Sequence, residues 1–271
     1  MKKSMFVFLF LFSFFKAMGQ EIVWNLETVI EFPRLGLLSL DNQGFLFISD
    51  LEGNLYQYNK NGNQVNNFSP QRQAALTQLE ASWTVNIFTF STDLQEYRIL
   101  DRFVNPVSEN RIPTDLINLA KVATLGNNNI MWIFDEADLS LKQFDYRRNR
   151  ILQHQPLNLI LDRSSLEVID IREYQNLVFL NIESEGVYIL DNQGNLIRKI
   201  DIVYPQKLSF WKENILFLDD GKIAVLDFKS GKLNKYLLPE EINPKAVMIN
   251  QENIFLYNEN QVWIFRRSNQ F

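Results

Sequence analysis

The sequence predicts an all-β protein in which one small four-stranded sheet is repeated six times around a ring. Three observations lead to this prediction. From residue 36 to the end, short apolar segments recur with a spacing of about 40 residues. Within a segment, alternate positions differ in character, as in Leu55 and Gln57 against Tyr56 and Tyr58, which is typical of strands. Between segments, Asp, Asn and Gly provide the residues that tight turns require.

The second strand of each unit gives the clearest repeat. We predict these strands at residues 45–49, 85–90, 130–134, 177–182, 215–218 and 254–257. Their central apolar residues are separated by 38 to 46 positions and are Phe47, Phe88, Ile133, Phe179, Phe217 and Leu256. A period of about 40–45 residues with four short strands per unit is the signature of a β-propeller blade. The predicted fold is therefore a six-bladed β-propeller with four-stranded antiparallel blades.

The first three units differ in regularity. The first, residues 36–68, places strands at 37–40, 45–49, 54–58 and 63–68, and three turns that end in glycine separate them. The second and third units, residues 76–107 and 121–157, lack such glycine turns. We predict that residues 105–119 form an insertion between them, with a helical turn at residues 113–119.

The last three units predict how the ring closes. The fourth and fifth units, residues 165–202 and 205–238, again contain Gly turns. The sixth begins at Pro244 and provides only three strands, at residues 246–249, 254–257 and 262–266. Because a blade that lacks one strand would leave an unpaired edge, residues 21–32 are predicted to supply the fourth, outermost strand.

The first 19 residues are predicted to be a cleaved signal peptide, which leaves residues 20–271 as a single domain. Lys2 and Lys3 precede an apolar run that is too short to span a bilayer, and Ala17 and Gly19 provide a cleavage site. The chain contains no Cys, which excludes a lipoprotein acylation site, disulfides and thiolate metal sites. The predicted location is therefore periplasmic or secreted, without a lipid anchor.

The charge of the mature chain limits the classes of partner. Residues 1–19 contain three lysines and no acidic residue, so the remainder has 24 basic and 32 acidic residues and a net charge of −8. Such a balance argues against nucleic acid and anionic lipid as partners. The chain resembles a generic secreted six-bladed β-propeller in architecture only. It lacks the Trp-Asp blade endings of WD40 proteins, the paired glycines of kelch proteins and the Trp docking motif of quinoproteins.

The candidate site is an acidic rim formed by the turns that follow the second strands. Equivalent turns of a propeller emerge on one face, and their predicted partner- or cation-binding residues are Asp50, Asp93, Asp135, Glu183, Asp219 and Glu259. Clustered carboxylates suit Ca²⁺, but Asp and Asn are also ordinary turn residues. The blade-to-blade connections on the same face add basic residues, namely Arg72, Arg111, Arg163, Lys207 and Lys245.

No catalytic set stands out in the sequence. The single histidine, His154, falls on an outer strand and is interpreted as a surface residue, and Trp83 is the best candidate for an exposed aromatic residue. No catalytic residue, metal site or resident cofactor is therefore predicted. The leading hypothesis is a non-enzymatic scaffold or accessory subunit that binds an envelope or outer-membrane protein of a Gram-negative bacterium. The alternative is a Ca²⁺-dependent lactonase-like hydrolase or sugar-binding propeller that uses the acidic rim.

Overall fold

The computed structural model describes residues 23–81, 86–126, 130–162 and 165–267. Within these ranges the chain forms six four-stranded antiparallel sheets. The prediction of an all-β fold with six four-stranded blades is confirmed. The predicted signal peptide lies outside the described residues.

Strand β1 (Asn25–Glu31) precedes the first complete blade. Blade 1 contains β2 (Leu35–Leu40), β3 (Leu46–Asp50), β4 (Leu55–Tyr58) and β5 (Gln64–Phe68). Blade 2 contains β6 (Gln78–Glu80), β7 (Ile87–Ser91), β8 (Glu96–Leu100) and β9 (Pro106–Arg111). Blade 3 contains β10 (Ala120–Leu125), β11 (Met131–Asp135), β12 (Ser140–Asp145) and β13 (Arg150–Pro156).

A four-residue helix, α1 (Leu157–Ile160), leads from blade 3 to blade 4. In the described part of the chain, no helix has the length and apolar character needed to cross a membrane. Blade 4 contains β14 (Val168–Tyr174), β15 (Leu177–Ile182), β16 (Gly186–Leu190) and β17 (Leu196–Ile200). Blade 5 contains β18 (Ser209–Trp211), β19 (Asn214–Asp219), β20 (Lys222–Asp227) and β21 (Leu233–Leu237). The remaining strands are β22 (Ala246–Ile249), β23 (Asn253–Tyr257) and β24 (Gln261–Arg266).

Blade 6 joins the two ends of the described chain. Its strand order is β22-β23-β24-β1, so β1 forms the outer strand, as predicted. The register places Glu31 opposite Gln261 and Val29 opposite Trp263. Ile30 alternates inward and is only 5% exposed, so the closing strand is held by apolar packing as well as by backbone hydrogen bonds.

The predicted insertion at residues 105–119 is wrong. Residues 106–111 form β9, the outer strand of blade 2, and only the residues after it make a turn. In that turn the Leu116 and Ile117 amides donate to the Pro113 carbonyl at 3.1 and 3.0 Å. Strand β9 cannot be recognised from an apolar pattern in the sequence, because most of its side chains are exposed. An outer strand needs few apolar residues, since one of its edges faces solvent.

The strands of each blade are lettered A to D from the ring axis outward. The A strands are innermost, because β10 contacts both β6 and β14, and β18 contacts β22. Antiparallel order then puts the A-to-B and C-to-D turns on one side of the ring, here the A–B face. The B-to-C turns and the blade-to-blade connections lie on the opposite side, the B–C face.

The core lies between neighbouring blades. The six residues used to define the repeat are all in B strands and are at most 6% exposed. Between blades 4 and 5, for example, Tyr174, Phe179 and Phe228 pack edge to face with ring centroids 5.1 to 6.5 Å apart. These contacts fix the blades against one another and give the faces a rigid base.

Candidate functional site

The six predicted rim carboxylates all lie at the B–C face, where the B strands end. Asp93 and Glu183 are exposed. Asp50 stabilises its own turn, because its Oδ1 atom accepts from the Glu52 and Asn54 amides, both at 2.9 Å. Asp219 pairs with Lys235 on the outer strand at 2.5 Å, and Glu259 pairs with Lys245.

Asp135 is the exception, because it is fully buried. Its Oδ2 atom lies 2.6 Å from the Lys142 ammonium and accepts from the Asn118 amide at 2.8 Å, and its Oδ1 atom accepts from the Leu119 amide at 3.0 Å. Burial alone would lower the pKa of Lys142, but its hydrogen bonds to Asp135 and Asp138 outweigh burial and raise it. Asp135 is thus a structural residue that fixes the connection between blades 2 and 3.

Four of the six rim carboxylates are therefore engaged by neighbouring groups of the protein, and Asp93 and Glu183 are exposed. Within the described ranges, no three or more His, Cys, Asp or Glu side chains are grouped so that they could hold a metal ion. His154 lies on β13 with 53% of its side chain exposed, and its nearest acidic partner is Asp138 at 3.6 Å. The Ca²⁺-binding rim stays a prediction from the sequence.

The basic residues of the B–C face behave in two ways. Arg72 and Arg111 both pair with Glu96, so a mixed-charge rim exists on blade 2. Lys207 instead turns toward the ring axis. Arg163 and Trp83 lie outside the described residues.

A cavity of about 570 Å³ occupies the centre of the ring. It is bordered by the A-to-B turns of blades 1, 4, 5 and 6, and therefore opens on the A–B face, opposite the predicted rim. None of the six rim carboxylates lines it. This site was not among those predicted from the sequence. The sequence feature that could have indicated this cavity is the alternation of Asp170, Arg172 and Tyr174 along β14. Innermost strands usually have apolar residues at such alternate positions.

Two ion pairs lie beside this cavity. Lys207 Nζ is 3.0 Å from Asp170 Oδ1, while Asp170 Oδ2 accepts from the Leu208 amide at 2.8 Å. Arg172 Nη1 is 3.3 Å from Glu80 Oε1. Burial raises the pKa of Glu80, although Arg172 and hydrogen bonds from neighbouring groups oppose the rise.

Aromatic side chains form the wall of the cavity near its mouth. Tyr174 and Phe210 are stacked with ring centroids 4.6 Å apart and an interplanar angle of 22°. The Tyr174 hydroxyl donates to the Lys212 carbonyl at 2.6 Å, and burial raises the pKa of this hydroxyl to about 12. Trp211, the next residue of β18, also borders the cavity but packs toward blade 6, and its ring lies 5.1 Å from the Arg267 guanidinium and 5.5 Å from the Lys212 ammonium.

Comparison with known proteins supports the fold. The sequence matches no protein-family profile and no curated protein. The structure is similar to the β-propeller domain of Myceliophteria thermophila Cps50 (Swd1), with 10% identity, a TM-score of 0.63, and coverage of 91% of this chain and 100% of that one. The WD40 domain of Neurospora crassa Pan2 is also similar, with 10% identity, a TM-score of 0.63, and coverage of 92% and 96%.

A streptogramin B lyase structure is similar as well, with 10% identity, a TM-score of 0.57, and coverage of 88% of this chain and 97% of that one. At such identities the comparison establishes the architecture and nothing of the chemistry. The comparison therefore supports a β-propeller fold for this chain.

Proposed function

We propose that the protein is an exported, non-enzymatic scaffold that holds a partner protein at the envelope of a Gram-negative cell. The observation that carries this proposal is the concave centre of the A–B face, where turns from four blades surround an aromatic and cationic cavity. Aromatic and Arg side chains are enriched at protein interfaces. A rigid ring that brings such residues together from distant parts of the chain is suited to binding.

The A–B face is favoured over the B–C face by the state of their charges. On the B–C face, Arg72, Arg111 and Lys245 are already paired with acidic residues of the same face. On the A–B face, Lys60 and Lys212 are exposed and border the cavity. Exposed charges beside a concave apolar surface steer the association of a complementary partner.

The non-enzymatic part of the proposal is supported by the contacts of three candidate acid–base groups, of which Asp170, in the cavity, is engaged by Lys207 and the Leu208 amide. His154 lies on an outer strand, away from the cavity, and Asp135 is fully engaged in structural contacts. Export is supported by the sequence of residues 1–19. Intact-mass and N-terminal analysis of the protein from its native host tests export, with Gln20 expected as the first residue. A retained Met1 would contradict it.

The test of the scaffold is crosslinking in the native host followed by affinity purification of the tagged protein. A stoichiometric envelope protein is expected with the wild type. The charge-reversal variant K60E/K212E on the A–B face is expected to lose it, whereas the matched variant R34E/K245E on the B–C face keeps it. A partner lost only with R34E/K245E would assign binding to the B–C face, and a protein without any partner would contradict the scaffold.

A further inference from the structure

The charge balance of the side chains that line the central cavity differs from that of the whole chain. The whole chain has a net charge of −5, yet the cavity lining contains four cationic and three acidic side chains, namely Lys60, Arg172, Lys207 and Lys212 with Asp41, Asp170 and Glu252. Two of these acids are occupied. Asp41 Oδ1 accepts from the Gln43 and Phe45 amides, and Asp170 is held by Lys207 and the Leu208 amide.

In both ion pairs the cation is the more exposed member. The Arg172 side chain is 14% exposed and lines the cavity, whereas Glu80 is 7% exposed and does not line it. The Lys207 side chain is 29% exposed and its partner Asp170 only 2%. The carboxylates are therefore the more deeply buried members, and they position the cations at the cavity surface.

The lining is also ordered with depth. Asp170, Arg172 and Tyr174 occupy alternate positions of β14, and successive members of such a row are separated by about 7 Å along a strand. Tyr174 lies at the mouth beside Phe210, Arg172 lies in the middle, and the Asp170–Lys207 pair lies at the inner end. A ligand that enters from the A–B face thus contacts aromatic rings first and cationic side chains deeper in the cavity.

At the inner end, Tyr257 adds a neutral hydroxyl to the lining. Burial raises the pKa of Tyr257, and the neighbouring Tyr204 and Asp170 raise it further, so the hydroxyl stays protonated and can donate a hydrogen bond. A carboxylate that reaches this depth can accept from Arg172, Lys207 and this hydroxyl. Charge-assisted hydrogen bonds of this kind are the strong ones.

From this arrangement we infer that the central cavity binds a carboxylate joined by a short aliphatic link to an aromatic ring. The ring packs against the stacked pair of Tyr174 and Phe210 at the mouth, and the carboxylate meets Arg172 and Lys207. The same chemistry is offered by a free arylalkanoate and by an aromatic residue at the carboxyl end of a peptide. This inference is tested separately from the scaffold proposal. If the cavity binds neither the free acid nor the peptide, the result of the crosslinking experiment for a partner protein is unchanged.

The experiment is calorimetric titration of the mature chain with 3-phenylpropionate and with its neutral amide. For a ligand of this size we expect a Kd on the order of 1 mM or lower for the acid, and binding of the amide about tenfold weaker or more. The free acid is then compared with a short peptide that ends in a Phe carboxylate. Tighter binding of the peptide identifies a chain end as the source, and equal or tighter binding of the free acid identifies a small molecule.

Variants distinguish the effect of the cations on ligand binding from an effect on folding. E80Q/R172Q removes the buried pair together and is expected to weaken the acid about tenfold or more while the amide changes less than about twofold. K207Q, judged only if it melts cooperatively, is expected to have the same selective effect. K229Q is the control, because Lys229 is an exposed lysine paired with Glu213 that does not line the cavity. Equal binding of acid and amide, unchanged binding by folded E80Q/R172Q, or no saturable binding would overturn the inference.

Discussion

The Asp135 carboxylate lies 2.6 Å from the Lys142 ammonium, and the two side chains are only 0% and 7% exposed. We expect D135N to lower the free energy of unfolding by about 2 kcal/mol or more, because Asp138, at 2.8 Å, is then the one carboxylate left to the buried Lys142 ammonium. Urea denaturation measures the change.

Two further variants check the cause. D93N, on the equivalent but exposed turn of blade 2, is expected to change stability by less than about 0.5 kcal/mol. D135N/K142M is expected to recover part of the loss, because the ammonium is then absent. A double variant no more stable than D135N would show that the loss comes from the backbone contacts of Asp135.

Asp138 makes stability depend on pH. Burial favours its neutral form, but hydrogen bonds from Lys142 and Ser140 and the charges of Lys142 and His154 outweigh burial and lower the pKa of Asp138 below 3.8. The unfolded chain therefore binds this proton first as the pH falls. The stabilisation is present above about pH 4 and is lost in more acidic solution. We expect D138N to show a shallower loss of unfolding free energy between about pH 4 and pH 2 than the wild type.

Urea denaturation at a series of pH values measures this difference. Lys142 is kept in both D138N and the wild type, because Lys142 also pairs with Asp135. D93N, which changes an exposed carboxylate, is the control. An identical pH profile for D138N and the wild type would rule out the linkage.

Closure of the ring depends on the inward-facing side of β1. We expect I30A to cost about 2–4 kcal/mol, because Ile30 packs with Phe32, Val262 and Ile264 at the junction of blades 6 and 1. V29A is the matched control on the same strand, where the side chain is 37% exposed, and it is expected to cost less than about 1 kcal/mol. Chemical denaturation compares them, and equal losses would mean that strand pairing alone holds the ring closed.

Two turn glycines should respond differently to substitution. Gly44 and Gly53 both have positive φ, at 88° and 82°. A Cβ on Gly44 would meet nothing within 4 Å, whereas one on Gly53 would lie 2.4 Å from the Ala74 carbonyl oxygen. We expect G44A to cost about 1 kcal/mol through backbone strain, and G53A to cost about 1–3 kcal/mol more because a backbone group must move. Melting temperatures in the same order would support this, and equal values would contradict it.

The blades were predictable because their apolar pattern is local. Phe47 and Phe179 each lie in a short apolar segment that indicates a strand, and in blades 1 to 5 one continuous run of chain contains the whole blade. Strand β9 was missed because Pro106 to Arg111 is an exposed outer strand with no apolar period. Turn chemistry was read correctly where it is local: Asp41 and Asp191 each accept from the amides two and four residues later, although they lie in different turns of their blades.

The central site was not predictable in this way. Gln78 donates to the Ile171 carbonyl across 93 residues of sequence, and Arg172 meets Glu80 across a similar interval. No local pattern records which residues of different blades meet at the axis. The rim was found because equivalent turns share a face by symmetry, but Asp135 shows that equivalent positions need not be equally exposed. Asp135 is buried in an ion pair with Lys142.

The seam of blade 6 also imposes an order in time. Gln261 donates to Glu31 across 230 residues, so β1 cannot reach its partner strand until those residues have also been synthesised. Contacts between such distant segments form slowly. For a chain that crosses a membrane unfolded, β1 would arrive on the far side first and wait there with both edges unpaired. The delay is therefore a window in which a chaperone, a protease or a second unfinished copy can compete for the same strand.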